Sequence, residues 1–226
     1  MGVKILYEDK NITVAVKPPG IPSQPDKTGD ADMLSLLSES QSLPFPGIVH
    51  RLDRGVAGVM VFAKDKQSLS KLSAGFSERS VEKRYMAVLM GRLPHEEGTL
   101  RDYIVKRGNI NKCLISGASA KDAKEAVLNY KVRGRAEDKD YGALTLVEIW
   151  LETGRHHQIR LQFSNLGYPV WGDIKYGKNF KRPEDGFNIA LFSYFLKFRH
   201  PVSGRELLFT EKPEGFPFDK FKEAGL

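Results

Sequence analysis

The amino-acid sequence predicts an α+β fold in which strands outnumber helices. Three observations support this prediction. Apolar residues alternate with period two in most of the ordered segments, helical periodicity is confined to a few short stretches, and no change in composition marks a boundary between domains. We therefore expect a mixed or antiparallel sheet and a single domain over residues 1–226.

Two strands and a short helix are predicted near the N-terminus. Alternating apolar residues over 4–17 indicate a strand pair, which ends at Pro18 because proline cannot donate to a strand ladder. Residues 20–28 are rich in proline and glycine and predict a loop. Asp32 stands in the position of an N-cap, so a short helix is expected to begin just after it.

A buried strand, an amphipathic helix and another strand follow. Residues 56–64 (VAGVMVFAK) are apolar and β-prone, which is typical of a buried strand. Asp65 is placed to cap the next helix. The apolar face of that helix is formed by Leu69, Leu72 and Phe76. Residues 83–90 return to a strand pattern, which Gly91 ends.

The second half of the chain reads mainly as strands. The clearest of them lie over 127–132 and 143–151. The charged, turn-rich segment 133–142 (RGRAEDKDYG) between them predicts an exposed hairpin loop. Residues 158–166 fit a helix that ends at Gly167, and a closing hairpin is predicted over 188–210.

Composition favours a polyanionic partner and argues against several other classes. Lysine and arginine total 35 against 28 acidic residues, a net charge of +7, and counterion release then favours binding to phosphate backbones. Cys113 is the single cysteine, so a disulfide within the chain is excluded. No apolar run approaches the roughly 18 residues of a membrane span. No glycine-rich phosphate loop is present, and no nucleotide cofactor is expected.

A carboxylate lies between two arginines in residues 50–54 (HRLDR). Nearby positive charge favours the ionised form of Asp53, and an ionised carboxylate can act as a nucleophile or base. The alternative interpretation is an aspartate held by local ion pairs in a surface turn. The residue pattern leaves both interpretations open.

Residues 153–160 (TGRHHQIR) lie where a predicted strand meets a helix. The free N–H groups of a helix N-terminus suit an anion such as phosphate, and Arg155 and Arg160 add positive charge. A helix start with ordinary polar caps is the alternative. His156 and His157 are adjacent rather than four residues apart, so we predict no metal site.

Residues 83–87 (KRYMA) place a tyrosine next to basic side chains. Period two puts Lys83 and Tyr85 on one face of the predicted strand and Arg84 on the other. A tyrosine in this setting can stack on a nucleobase while its neighbours meet phosphate. The alternative is a tyrosine on the sheet face with its hydroxyl satisfied within the protein.

Five segments, in this order and spacing, resemble the RluA family of pseudouridine synthases. They are ILYEDKNITVAVKPPG (5–20), GIVHRLDRGVAGVMVFAK (47–64), KRYMAVLMG (83–91), TGRHHQIRLQFSNLGYPVWGDIKYG (153–177) and FRHPVSGRELLF (198–209). The resemblance covers nearly the whole chain. It implies an enzyme that isomerises uridine within folded RNA, built on a bent, mainly antiparallel sheet with a central active-site cleft.

The resemblance also implies roles for individual residues. Asp53 would be the essential carboxylate, Arg160 its ion-pair partner and Tyr85 the ring that stacks on the target uracil. Arg51 would fill the gap left when the base leaves the stack. The other residues expected to bind substrate are Lys17, His50, Arg54, Lys83, Arg155 and His157.

The expected substrate is structured ribosomal or transfer RNA, whose target base is flipped out of its stack. Substrate and product are isomers, so no cofactor is expected. We expect a cytoplasmic monomer of bacterial type with no membrane partner. A separate N-terminal RNA-binding module is not expected, since Ile5 already lies in the opening strand.

One departure from the family pattern keeps alternatives open. Val56 and Ala57 stand where such families usually have threonine and serine, so two hydroxyls near Asp53 are lost. A catalytically impaired RNA-binding protein on the same fold is therefore the main alternative. The other is a hydrolase or nuclease that uses His50, His156 or His157. Whether Asp53 attacks the base, attacks the ribose carbon or removes a proton is also open.

Overall fold

The computed structural model describes residues 2–41, 47–107, 112–177 and 189–224. Its strands are β1 (Lys4–Glu8), β2 (Ile12–Lys17), β3 (Gly47–Ile48), β4 (Ala57–Ala63), β5 (Glu82–Met90), β6 (Glu97–Arg107), β7 (Lys112–Ser116), β8 (Lys124–Asp138), β9 (Gly142–Leu151), β10 (Leu191–Arg199) and β11 (Glu206–Thr210). Its helices are α1 (Met33–Gln41), α2 (Lys66–Ser77) and α3 (Gln158–Asn165), and 3-10 turns cover Phe218–Ala224. The predicted α+β fold class is confirmed.

The chain forms two compact units. The first unit is made of residues 1–83 and 192–212, and the second of residues 84–191 and 213–226. Residues 84–191 of the second unit thus lie in the sequence between the two parts of the first, and its remaining residues follow them. The single domain predicted over 1–226 stays a prediction.

The first unit is a mixed sheet with one helix packed on its core. β2 pairs antiparallel with both β1 and β4, β10 pairs parallel with β4, and β11 returns antiparallel along β10. The apolar side chains that meet beneath α2 are Ile12, Val14, Val59, Val61, Ala63, Leu72, Leu196 and Phe198. The strand pair predicted over 4–17 and the buried strand predicted over 56–64 are confirmed.

Both predicted helix caps in the first unit are present. The Asp32 carboxylate accepts the backbone N–H of Leu34 at 2.9 Å, and the Asp65 carboxylate accepts that of Ser68 at 2.7 Å. Each satisfies a donor that the first turn of a helix leaves unpaired. The helices α1 and α2 therefore begin where the sequence predicts.

Gly58 marks the place where β4 meets β10. Its φ is +130°, and a Cβ added there would lie 2.5 Å from the backbone nitrogen of Ser193 and still closer to the Ser193 carbonyl oxygen. Because backbone atoms cannot move aside as a flexible side chain can, only glycine fits this position.

His200 ties the two ends of the first unit together. Its Nε2 lies 2.8 Å from the Asp9 carboxylate in the β1–β2 turn, while its Nδ1 accepts the N–H groups of Val202 and Ser203. With Nδ1 accepting, Nε2 carries the proton and donates it to Asp9. This places the closing hairpin, β10–β11, against the N-terminal strands; Asn188, where the predicted hairpin starts, lies outside the described residues.

The second unit is an antiparallel array in the order β5, β9, β8, β6, β7. Helix α3 packs on one face, where Phe163 meets Tyr130 of β8 edge-on at 5.6 Å between ring centroids. The helix predicted over 158–166 is confirmed, and Gly167 follows it with a φ of +94°. Among the described residues no helix is long and apolar enough to span a bilayer.

The loop predicted over 133–142 is wrong. The strand β8 continues to Asp138, and only 139–141 form the turn. The charged side chains that suggested a loop are paired across the strands. The Nε of Arg133 lies 2.7 Å from the carboxylate of Glu148, whose side chain is almost fully buried. Opposite charges facing each other on neighbouring strands stabilise a sheet, so a charged segment can remain in it.

Candidate active site

Asp53 lies in the loop between β3 and β4, and the residues on either side of it are anchored. Ser23 makes a reciprocal pair with Leu52: its hydroxyl donates to the Leu52 carbonyl at 2.8 Å and accepts the Leu52 N–H at 3.1 Å. The N–H of Val56 donates to the Asp53 carbonyl at 2.9 Å, which closes the turn. The Asp53 side chain itself is half-buried.

His50 holds the start of this loop against the sheet. Its ring is buried and stacks on Phe76 at 4.6 Å between centroids, and its Nε2 accepts the backbone N–H of Val61 at 3.2 Å. Burial, with a smaller contribution from the Lys83 charge, holds the pKa of His50 well below its ordinary value. The ring is therefore neutral with its proton on Nδ1. This placement lets His50 support the loop from inside the first unit, and its expected substrate contact stays a prediction.

Lys17 is also an internal support. The side chain is fully buried at the end of β2, and its ammonium donates to the carbonyls of Pro18, Ile21 and Arg54 at 2.9, 2.6 and 3.1 Å. Burial lowers the pKa of Lys17 to about 7, and the nearby Asp53 carboxylate opposes that shift. Because its ammonium donates to main-chain carbonyls, Lys17 holds the Asp53 loop to the loop after β2. Its expected substrate contact stays a prediction.

Arg54 binds the same loop from its other side. Its Nε donates to the Gly20 carbonyl at 2.9 Å, Nη1 donates to the Thr28 hydroxyl at 3.1 Å, and Nη2 pairs with Asp30. The hydrogen bond from Arg54 lowers the pKa of Asp30. Two side chains therefore join the segment 20–30 to the Asp53 loop: the guanidinium of Arg54 and the ammonium of Lys17.

Arg51 and Lys83 complete the candidates of the first unit. Arg51 is exposed to solvent. The Lys83 ammonium lies 5.7 Å from the centroid of the Phe76 ring, where a cation is attracted by the ring electrons. Their predicted contacts with substrate stay predictions.

The departure at Val56 and Ala57 is a packing feature. Val56 is buried, and Ala57 is the first residue of β4. A buried valine adds apolar contact where a hydroxyl would need a partner. The turn that bears Asp53 is closed by backbone atoms, which do not depend on the lost hydroxyls.

In the second unit, Gln158 fixes the turn that leads into α3. Its side-chain oxygen accepts the Thr153 hydroxyl at 2.8 Å and the Arg155 N–H at 2.9 Å, and its amide nitrogen donates to the Val127 carbonyl at 3.1 Å. The Arg155 Nε donates to the Glu125 carbonyl at 2.8 Å. Arg155 is thus partly engaged with the main chain, and its expected substrate contact stays a prediction.

Arg160 forms a buried bidentate ion pair with Asp173. The two contacts are Nε–Oδ2 at 2.7 Å and Nη2–Oδ1 at 2.8 Å, and both side chains are nearly excluded from solvent. The Asp173 carboxylate also accepts the N–H groups of Lys175 and Tyr176 at 3.0 and 3.2 Å. The sequence analysis did not single out Asp173. The predicted pairing of Arg160 with Asp53 stays a prediction.

His157 precedes α3 in the left-handed conformation, with a φ of +56°. Its ring is buried, stacks on His156 at 3.8 Å between centroids, and places Nδ1 2.8 Å from the Tyr176 hydroxyl. The same hydroxyl accepts the Cys113 N–H at 2.9 Å. Burial raises the pKa of Tyr176 to about 12, so the hydroxyl keeps its proton. Tyr176 was also missed by the sequence analysis.

Tyr85 lies in β5 opposite Ile149 of β9, and its side chain is buried. Arg84 occupies the opposite face of the strand, as period two predicts. The guanidinium carbon of Arg84 lies 5.8 Å from the centroid of the Trp150 ring, and its Nη1 lies 3.5 Å from Oε1 of Glu148. The stacking role predicted for Tyr85 stays a prediction.

The two units divide the candidate residues between them. The first unit contains Lys17, His50, Arg51, Asp53, Arg54 and Lys83. The second contains Tyr85, Arg155, His157 and Arg160. Within the second unit, the side chains of His157 and Arg160, at the start of α3, both contact the short turn formed by residues 173–176.

Sequence comparison shows similarity to one family of RNA-modifying proteins. A family profile described as RNA pseudouridylate synthase matches residues 11–165. An uncharacterized RNA pseudouridine synthase of Aquifex aeolicus is 34% identical over 229 residues, covering 95% of this chain and 71% of the relative. The ribosomal large subunit pseudouridine synthase D of Pseudomonas aeruginosa is 33% identical over 231 residues, covering 95% and 69%.

Two solved structures have the same fold. Human RNA pseudouridylate synthase domain containing 1 superimposes with a TM-score of 0.81 at 23% identity, covering 96% of this chain and 86% of the other. Human RNA pseudouridylate synthase domain containing 4 gives 0.77 at 24% identity, covering 98% and 92%. At this level of identity the likeness establishes the fold.

Proposed function

Because the chain belongs to the RNA pseudouridylate synthase family of isomerases, we propose that it converts specific uridines of ribosomal or transfer RNA into pseudouridine. Similar proteins named as ribosomal large subunit synthases favour ribosomal RNA. The net charge of +7 suits a phosphate-rich partner.

The observation that supports this proposal most strongly is the anchored loop of Asp53. The reaction detaches uracil from its ribose, rotates it and reattaches it through carbon, and the family resemblance implies that a carboxylate carries this chemistry. The turn holds the backbone of Leu52 and Val56, while the Asp53 side chain retains access to solvent. A group held in one geometry contributes far more to a rate than a mobile one.

The charge environment suits a carboxylate that remains ionised. The buried Lys17 ammonium interacts with Asp53, and Arg54 brings a second positive charge to the loop. An opposite charge nearby favours the charged form of a carboxyl group. We propose that Asp53 is the essential catalytic carboxylate.

The remaining roles follow from the family resemblance. We propose that Arg160 pairs with the Asp53 carboxylate. Asp173 engages the Nε and Nη2 side of Arg160, and a guanidinium has five N–H donors, so this role is compatible with the ion pair observed. Tyr85 would stack on the extruded uracil and Arg51 would fill the gap in the RNA stack, offsetting an unstacking cost of roughly a few kcal/mol.

The test uses RNA that carries tritium at carbon five of uracil. Purified protein is incubated with ribosomal or transfer RNA transcripts, without metal or nucleotide, and released tritium is measured. We expect release by the unmutated protein and none by Asp53→Asn, with the affinity of both for the RNA unchanged. Asp140→Asn, in the exposed β8–β9 turn, is the matched control and should retain full activity.

Two outcomes would contradict the proposal. Tight binding of RNA without release from any RNA class would favour the catalytically impaired RNA-binding protein. An Asp53→Asn variant that keeps more than a few percent of the activity would remove Asp53 from the chemistry. Mapping the modified position after a positive result would separate ribosomal from transfer RNA.

A further inference from the structure

We propose that the turn Trp171–Gly177 fixes the orientation of Arg160 and the proton position of His157, with Asp173 and Tyr176 as positioning residues. The link to catalysis rests on the proposed function, whereas the geometry of the turn does not. Both functional side chains come from the first turns of α3 and its N-cap, and both have a partner in this one turn.

Asp173 determines the plane of the Arg160 guanidinium. The Nε and Nη2 atoms of the Arg160 guanidinium donate to the two carboxylate oxygens of Asp173, and this bidentate contact fixes the plane of the guanidinium. The carboxylate is itself fixed, because its Oδ1 also accepts the N–H groups of Lys175 and Tyr176. Because Nε and Nη2 contact Asp173, the Nη1 atom of Arg160 points away from Asp173 and has a fixed position.

Tyr176 determines which nitrogen of His157 bears the proton. The hydroxyl oxygen accepts the Cys113 N–H, and we assign the hydroxyl proton to the 2.8 Å contact with Nδ1 of His157. A neutral imidazole whose Nδ1 accepts has its proton on Nε2. His157 is thus a hydrogen-bond donor at Nε2, with its backbone held in the left-handed region.

Further contacts hold the turn itself in place. The Gly177 N–H donates to the Asp173 carbonyl at 2.7 Å, and a Cβ on Gly177 would lie 2.6 Å from that oxygen. The Ser164 hydroxyl of α3 donates to the Tyr176 carbonyl at 2.6 Å. The Tyr176 ring also lies 5.4 Å from the Arg160 guanidinium, so the two contacts form one packed cluster.

The first measurement is the tautomer of His157, read from the ¹⁵N chemical shifts and long-range couplings of its ring in the full-length protein. We expect an unprotonated Nδ1 and a protonated Nε2 in the unmutated protein. In Tyr176→Phe the tautomer preference should weaken or reverse, because Nδ1 loses its donor. A protonated Nδ1 in the unmutated protein would overturn the assignment.

The second measurement is single-turnover rate against RNA affinity. For Tyr176→Phe and Asp173→Asn we expect the rate to fall roughly 10- to 100-fold, with little change in the Kd for RNA. Two matched controls should keep the normal rate. They are Tyr103→Phe in β6 and Asp102→Asn, whose carboxylate accepts hydrogen bonds from Gln162 and Asn165 of α3.

The outcomes separate this inference from the proposed function. Normal rates in both variants, or equal losses in variants and controls, would overturn the positioning role. An unmutated protein inactive on every RNA would contradict the proposed function, while the tautomer would still confirm or reject the arrangement around Tyr176. The tautomer of the unmutated protein tests the contact between Tyr176 and His157 without any variant, so that result does not depend on the folding of Asp173→Asn.

Discussion

Replacement of Lys17 by methionine tests how the Asp53 loop is held. Methionine has nearly the same length and fills the buried space, but it cannot donate to the three carbonyls that the ammonium reaches. The Arg54 carbonyl still accepts the Gly20 N–H at 2.8 Å. The carbonyls of Pro18 and Ile21 lose the Lys17 donor.

The structure sets the size and the pH dependence of the effect. Unpaired buried carbonyls cost about 1–3 kcal/mol each, and removing a buried charge offsets part of this, so we expect a net loss of about 2–3 kcal/mol at pH 7. The pKa of Lys17 is lowered by burial from 10.5 to about 7. Between these values the unfolded chain binds a proton that the folded chain does not, so wild-type stability rises with pH by up to about 1.4 kcal/mol per unit.

The assay is denaturant unfolding of wild-type and Lys17→Met proteins at intervals from pH 6 to 10. The difference in the free energy of unfolding should be constant below pH 7 and widen above it, because methionine has no proton to lose. Lys71→Met, on the exposed side of α2, should follow the wild type throughout. A difference that stays flat from pH 7 to 10 would show that Lys17 keeps its proton, and would refute the argument.

Two further substitutions test the frame around the loop. Gly58→Ala should lower the free energy of unfolding by about 3 kcal/mol or more, because the added Cβ meets the backbone of Ser193. Gly117→Ala, whose Cβ meets open space, is the control. Equal free energies of unfolding for the two variants would contradict the strand geometry at Gly58. Asp65→Ala should lower the free energy of unfolding by about 1 kcal/mol because α2 loses its cap, whereas Asp65→Asn should keep most of the capping stabilisation. An unchanged unfolding midpoint in the alanine variant would refute the capping role.

Local patterns predicted most of the fold because the forces behind them are local. The caps at Asp32 and Asp65 satisfy donors two or three residues away, and the strand periodicity of 4–17 reflects burial of one face. The segment 133–142 failed for the opposite reason. Its charged side chains are stabilised by residues on neighbouring strands, such as Glu148. The sequence of the segment alone does not contain this information.

The same distinction holds at the candidate site. Asp53 is a candidate because two arginines flank it, and the family resemblance is what gives Asp53 and Arg160 their predicted roles. The partners that hold them are ordinary residues far along the chain: Ser23 is 29 residues from Leu52, and Tyr176 is 19 from His157. The WGDIKYG segment was noted as part of the resemblance, which was the one signal for Asp173 and Tyr176.

The insertion of residues 84–191 between the two parts of the first unit affects the order in which the protein can fold during synthesis. The β4 strand receives its parallel neighbour β10 only after the ribosome has made the 108 residues from Arg84 to Leu191. The contact between Asp9 and His200 closes a separation of 191 residues. Until then the start of β4, at Ala57 and Gly58, lacks its neighbour on one edge, and unpaired strand edges are the usual starting point for aggregation. The start of β4 therefore depends on β10, a strand made near the end of synthesis, for the partner on that edge.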